Sequence, residues 1–343
     1  MEYRSLGNSG LKVSALSVGT MTSGWGGAQD HEGWAFEVLS KSLAAGVNMI
    51  DTAEFYGLGK AESILGKNLK QGGWDRDDLI LTSKFLPSGF GIQGISRKHI
   101  RQSMKATLQR LQQDYSDVLF LHRFDPEVPL LESIRAVNDL IDEDYGFYWG
   151  TSMFTAQQLV QCHQLCEQYG LIHPIVEQCE YNLLNRQRME VDYAPLFDHY
   201  GMGTTIWGAL ASGILTGKYN DGTIPADSRI ANSDFSLYYK QVFDTTFADK
   251  EQRTASLQGL GELARDIGCT QAELAMAWVL KSKDVSTVIF GVSRPSQVYS
   301  NLRTVEVASR LTPEVLAKIE DIMKTRPAAP FDWRTMAPAP NRR

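Results

Sequence analysis

The chain repeats one unit. A short, unbroken apolar run is followed by an amphipathic helical pattern, at intervals of about thirty residues, the spacing of a right-handed βα crossover series. The runs are ALSVGT from Ala15, VNMID from Val47, LILTSK from Leu79 and DVLFLH from Asp117, then FYWGTS from Phe147, PIVEQCEY from Pro174, TTIWGAL from Thr204 and STVIFGVS from Ser286. Each is continuous rather than alternating, as expected of strands covered on both faces of a parallel sheet. Between them, Ser96 precedes a stripe of Ile100, Met104, Leu108 and Leu111, and the pairs Thr155/Gln158 and Thr270/Glu273 have capping-box spacing. About eight such units predict an α/β fold, a (β/α)8 TIM barrel. A β-hairpin turning between Asn8 and Gly10 is expected ahead of it. The spacing breaks once, after the seventh strand, between Thr204 and Ser286, where a long loop and an extra helix are expected. No Pro/Gly-rich linker cuts the middle, so residues 1–343 read as one domain with a proline-rich surface tail from about 326.

The net charge of −6 argues against a nucleic-acid binder, which needs a basic footprint. No apolar run approaches a bilayer span, and MEYRSLGNSG lacks the apolar core of a signal peptide, so the expectation is a cytoplasmic protein without membrane insertion. Cys162 and Cys166 lie one turn apart beside His163. With Leu159 they fall on one helix face, where thiols act as small core hydrophobes, and no second ligand pair at zinc spacing accompanies them; no metal site is expected.

Three successive runs end on ionisable groups: Asp51 closes VNMID, Lys84 closes LILTSK and His122 closes DVLFLH, with Tyr56 in the glycine-rich turn after Asp51. Parallel barrel strands bring such ends to one mouth, where barrel active sites lie. The set has a specific chemistry. An ammonium beside a phenol should lower its pKa, a carboxylate should hold that ammonium charged, and an imidazole can orient a carbonyl oxygen. Together they can protonate an oxygen as it gains negative charge. A Schiff-base role for Lys84 competes with this reading, but Asp51 would keep the amine protonated and poorly nucleophilic. After the last strand, Gly291, Ser293 and Arg294, with Pro295 at the expected first helical position, offer either an anion site or an ordinary capped helix.

The segments DTAEFYGLGKAESILG, DLILTSK, DVLFLHR, FYWGTS and EQCEYN, in register, resemble the aldo-keto reductases. The likeness is closest to the branch holding the voltage-gated potassium-channel β subunits and their fungal and plant relatives, and it runs from SLGNSGLKVS through PFDWR. The resemblance implies NADPH-dependent reduction of a small-molecule carbonyl, with Asp51, Tyr56, Lys84 and His122 as the catalytic tetrad and Tyr56 as proton donor. It implies cofactor contacts from Thr20 and Gln29 in the first strand-end loop, and from Asp51. Ser152 and Gln178 match positions at the nicotinamide amide. Trp207, Gly208, Ala209, Leu210, Ala211 and Ser212 would run along the ring and pyrophosphate. Lys218, Arg229, Gly291, Ser293, Gln297, Ser300 and Asn301 would meet the adenosine phosphate end, their cations favouring NADPH/NADP+ over NADH. Relatives are often tetramers.

Departures from the pattern bear on the alternative, an NADPH-binding accessory subunit of a potassium channel. Channel β subunits carry asparagine where this chain has His122, and many carry a long extension ahead of the barrel, which begins here almost at once; both features weigh toward the enzyme. Met153, Ala209 and Ser300 stand where relatives have a polar or basic residue, proline and an acid. GFGIQG, Gly89–Gly94, spells a dinucleotide motif, but its glycines neither follow the strand directly nor open the helix, so it is expected to be a loop. Trp25, Phe55 and the segment SDFSLYYKQVFDTT either line a substrate pocket or pack as loops.

Overall fold

The structure, a computed structural model, describes residues 1–22, 25, 33–86, 94–226, 228–232, 236–245, 247 and 249–328. It opens with the antiparallel hairpin β1 (Tyr3–Ser5) and β2 (Lys12–Ser14). Eight parallel strands then close into a barrel in sequence order: β3 (Leu16–Gly19), β4 (Met49–Asp51), β5 (Ile80–Phe85), β6 (Val118–Leu121), β7 (Tyr148–Ser152), β8 (Val176–Glu180), β9 (Gly203–Trp207) and β10 (Thr287–Phe290). β10 pairs with β3 through Val288 and Leu16 to complete the ring.

The helices follow their strands. They are α1 (Trp34–Ala44), α2 (Lys60–Gly72), α3 (Arg97–Leu111), α4 (Leu130–Asp142), α5 (Ala156–Tyr169) and α6 (Ala194–Tyr200). The α3 stripe Ile100, Met104, Leu108 and Leu111 is buried against the barrel, and Ser96 caps the helix by accepting the His99 N–H. Both predicted capping boxes form, at Thr155/Gln158 and at Thr270/Glu273. The β9–β10 connection is more helical than its sequence suggested. It carries a 3-10 turn, Ala211–Thr216, then α7 (Arg229–Asn232), α8 (Ser236–Thr245), α9 (Lys250–Asp266) and α10 (Gln271–Leu280). After β10 come α11 (Gln297–Arg310) and α12 (Pro313–Met323). GFGIQG apart from Gly94, and the tail beyond 328, lie outside the described residues.

The hairpin plugs the N-terminal end of the barrel. Leu6 and Val13 share a buried cluster with Met49, Ile80, Val118, Phe120 and Val176. The seal depends on close backbone approach. A Cβ on Gly203 would lie 2.2 Å from the Gly7 amide nitrogen, and one on Gly7 would lie 2.4 Å from the Ile175 carbonyl oxygen. Cys162 and Cys166 are buried on the core face of α5, and burial pushes the Cys166 thiol up to about 12.

Gly203→Ala is therefore expected to destabilise the fold by about 1–3 kcal/mol or more through overpacking. Gly10→Ala, where nothing lies within 4 Å, should be near neutral. Urea-unfolding midpoints of the two variants check this; equal midpoints would refute the hairpin seal.

Candidate active site

Asp51 ends β4, and its register partners are Gly19 on β3 and Thr82 on β5. Side chains at positions two apart on a strand share a face, so Thr82 and Lys84 both point toward Asp51. Thr82 Oγ1 donates to Asp51 Oδ1 at 2.7 Å and Lys84 Nζ donates to Asp51 Oδ2 at 2.7 Å. Lys84 also donates to the Thr52 carbonyl oxygen at 2.7 Å and to the Tyr56 hydroxyl at 3.2 Å. An ammonium has three N–H donors, and here each has an acceptor. Lys84 sits one residue before the end of β5 rather than at it, and His122 just beyond β6, held by its N–H to the Phe85 carbonyl at 3.0 Å. The His122 ring stands edge-on to Tyr56, 6.1 Å between centroids, and its Nδ1 is buried with no hydrogen-bond partner among the described residues.

The electrostatics correct one expectation. Burial works to lower the Lys84 pKa, but Asp51 and then Tyr56 outweigh it, so the ammonium is held charged. Its pull on Tyr56 is smaller than expected. Burial pushes the phenol up, Asp51 adds to that, and Lys84 and Arg123 do not bring it back to its ordinary value. The phenol keeps its proton and is a weak acid here. Burial, then the charges of Lys84 and Arg123, hold the His122 imidazole well below its ordinary range, so it is neutral near pH 7.

Around this core lie the other predicted residues. Gln178, on β8, donates from Nε2 to Asp51 Oδ1 at 2.9 Å and to Thr205 Oγ1 at 3.2 Å. Ser152 is its register partner at the end of β7 and accepts from Arg123 Nη1 at 2.9 Å. Thr20, after β3, donates to Thr52 Oγ1 at 2.8 Å. Trp207 ends β9, and Gly208 (φ 70) turns the chain, its carbonyl accepting from Asn182 Nδ2. Ala209 and Ala211 are buried; Ala211 (φ 46) and Ser212 (φ 57) take left-handed backbone, strain of the kind that gathers at functional sites. Lys218 and Arg229 are exposed on the same β9–β10 connection. Gln29 lies outside the described residues.

After β10, the helix starts later than predicted. Pro295 lies in a preceding turn closed by bonds between residues three apart, Gln297 N–H to the Arg294 carbonyl at 3.1 Å and Val298 N–H to the Pro295 carbonyl at 3.2 Å, and α11 begins at Gln297. Gln297 Oε1 accepts the N–H of Ser293 at 2.8 Å, its hydroxyl at 3.0 Å and the N–H of Arg294 at 3.3 Å. Ser300 donates to Glu273 on α10 at 3.0 Å, and Asn301 is buried. A Cβ on Gly291 would meet Thr22 Cγ2 at 2.4 Å, and the buried Thr22 Oγ1 has no partner among the described residues. Trp25 is buried in the core.

Sequence reasoning missed Thr22, Thr52, Thr82, Arg123 and Thr205. Thr82 was findable from its two-residue spacing to Lys84; the others act through backbone or cross-strand contacts that no local pattern marks.

A closed parallel barrel with a carboxylate, a buried lysine, a tyrosine and a histidine at its C-terminal mouth defines an oxidoreductase-type barrel site, and the model of the aldo/keto reductase family matches residues 15–324. The chain belongs to that family, whose members are oxidoreductases that generally use a nicotinamide cofactor. Among its relatives is a protein named probable voltage-gated potassium channel subunit beta from Arabidopsis thaliana, 42% identical over 336 residues, covering 97% of this chain and 100% of that one. A protein of the same name from Oryza sativa subsp. japonica is 40% identical over the same shares. A putative voltage-gated potassium channel subunit beta from Schizosaccharomyces pombe is 41% identical, covering 95% of this chain and 94% of that one. Among the described residues no helix is long and apolar enough to cross a membrane.

The depressed His122 pKa has a stability consequence. In the unfolded chain His122 takes up a proton below about pH 6.5, whereas in the fold it stays neutral, so the unfolded state binds more protons and gains on the native state as pH falls. His122→Asn removes that term. The stability of the wild type relative to His122→Asn, from denaturant titrations at several pH values, is expected to drop below pH 6.5 and to be flat above it.

Proposed function

We propose that this protein reduces an aldehyde or ketone to an alcohol with NADPH, Tyr56 donating the proton. The observation that carries this reading is the buried ammonium of Lys84, bonded at once to Asp51 and to the Tyr56 hydroxyl, beside a His122 nitrogen that has no partner among the described residues. A reduced nicotinamide, when bound, supplies the hydride. Tyr56 gives its proton to the carbonyl oxygen as negative charge develops there. Lys84 stabilises the phenolate left behind, and Asp51 keeps Lys84 charged and aimed. Neutral His122 donates from its ring N–H to the same oxygen and orients it. Hydride on carbon and proton on oxygen make the alcohol.

The chain's own groups fit such a cofactor. Ser152 and Gln178 offer polar side chains beside Asp51. The Gln297 carbonyl oxygen occupies the three donors of Ser293 and Arg294, a seat suited to a phosphate oxygen. The Thr22 hydroxyl, which has no partner among the described residues, lies against Gly291, two residues before Ser293. Exposed Lys218, Arg229 and Arg294 favour the extra phosphate of NADPH.

Tyr56→Phe is expected to cut NADPH-dependent carbonyl turnover by about 10²–10⁴-fold, the usual worth of a general acid. Its affinity for NADPH, measured by nucleotide fluorescence, should stay at the wild-type value. Undiminished turnover in this variant would discard the mechanism.

The names of the plant and fission-yeast relatives support a second reading, an NADPH-binding accessory subunit of a potassium channel. Purification from native membranes separates the two. A potassium channel that co-purifies, with no carbonyl turned over, would favour the subunit; turnover without such a partner favours the enzyme.

A further inference from the structure

Tyr56 lies between two carboxylates of its own segment, Glu54 and Glu62, and both are bound to α3. Glu54 Oε1 accepts the Leu86 N–H at 2.6 Å and pairs with His99 Nε2 at 3.1 Å; Oε2 accepts a short hydrogen bond from Ser103. Glu62 Oε1 accepts from Ser83 at 2.9 Å and Thr107 at 3.0 Å, and Oε2 accepts from Arg110 Nε at 2.6 Å. His99, Ser103, Thr107 and Arg110 succeed one another at helical spacing, so one polar stripe of α3 receives both acids.

The turn between the two carboxylates is strained, although the Tyr56 N–H bonds the Ala53 carbonyl and the Leu58 N–H the Phe55 carbonyl, each at 3.0 Å. Gly57 (φ 57), Leu58 (φ 53) and Gly59 (φ 85) are left-handed in succession, and leucine in that region costs roughly 1–2 kcal/mol. Leu58 is 86% exposed and contributes no packing in return. Beyond those bonds, the turn is held at its two ends. Arg110 lies against Gly59, where a Cβ would come within 2.8 Å of Arg110 Cδ. Burial works to raise the Glu54 pKa, but its bonds to His99 and Ser103, the charge of His99 and the Leu86 N–H outweigh it and hold the carboxyl below its ordinary value. Glu54 is two residues from Tyr56, and Leu86 follows the strand that carries Lys84, so one carboxylate ties the phenol's turn to the lysine's strand.

We propose that Glu54, seated on the polar stripe of α3, is a positioning residue that sets the Tyr56 hydroxyl at bonding distance from Lys84. It touches no reacting atom. The kinetic side of this proposal rests on the reductase reading; the spectroscopic side does not.

The test uses the full-length Glu54→Ala and Glu54→Gln variants. Glu54→Ala is expected to lower kcat by on the order of 10–100-fold, the scale of an ångström-sized misplacement. KM and NADPH affinity should hold within about twofold, marking a loss confined to the chemical step. In protein carrying ¹³Cζ-tyrosine, the resonance absent from Tyr56→Phe should shift in Glu54→Ala and titrate differently from wild type. Glu54→Gln, which keeps the shape and one acceptor, should fall between. A variant that only melts earlier, with kcat and the Tyr56 resonance unchanged, would make Glu54 a fold stabiliser and overturn the proposal. If Glu54→Ala does not fold, Ser103→Ala removes one partner and leaves the carboxylate; it must lower kcat and move the resonance, and no change in either overturns the proposal. Should the wild type reduce no carbonyl compound, the reductase reading fails, and the resonance alone decides: unmoved in Glu54→Ala, it sinks the positioning role.

Discussion

A lysine ammonium with no exposed surface sets the terms for the upper half of the barrel. Taking such a charge out of water costs several kcal/mol unless each of its donors is matched. Lys84 meets that demand with Asp51, the Thr52 carbonyl and the Tyr56 hydroxyl, all from one strand end and the turn after it. Asp51 in turn spends its other oxygen on Thr82 and on Gln178, so the constraint reaches from β4 across the barrel to β8. Breaking such a buried pair by deleting one partner costs on the order of 3–5 kcal/mol, since the survivor is left charged in a dry place. The same contacts that stabilise the mouth therefore also fix where its phenol points.

The dryness that makes this pair strong has opposite effects on its neighbours. It disfavours the charged form of every ionisable group, so it raises the phenol of Tyr56 and depresses the imidazole of His122. Both are neutral around a single ion pair. A neutral imidazole can donate one hydrogen bond and carry no competing positive charge, which suits a group that orients an oxygen rather than one that protonates it. The phenol's proton becomes mobile only when something in the cleft gives it a reason to leave.

Much of this was legible along the chain. Asp51, Lys84 and His122 stood out because each interrupts a continuous apolar run, and parallel strands must bring such interruptions to one end. The barrel followed from the same spacing. Strand ends were off by a residue, as at Lys84, because apolar patterns do not mark where pairing stops. A turn through Pro295 and Ser296, closed by bonds between residues three apart, displaced the predicted start of α11, and the β9–β10 connection carried more helix than the one extra helix expected there. The net direction of the Tyr56 shift was not readable, since it is a balance between desolvation and Lys84, and desolvation belongs to the packed surroundings. Nor were the ties of Glu54 and Glu62 to α3, whose partners lie 45–49 residues further on and look like ordinary polar residues of an exposed face.

The hairpin at the other end of the barrel bears on this chemistry from a distance. With Leu6 and Val13 seated among Met49, Val118 and Phe120, and Gly7 pressed onto Gly203, packed apolar side chains close the axis on the hairpin side. On the reductase reading, a proton returning to a phenolate at Tyr56 would enter from the C-terminal mouth, the side from which a carbonyl compound would come. Recharging the acid and releasing the product would then share one doorway.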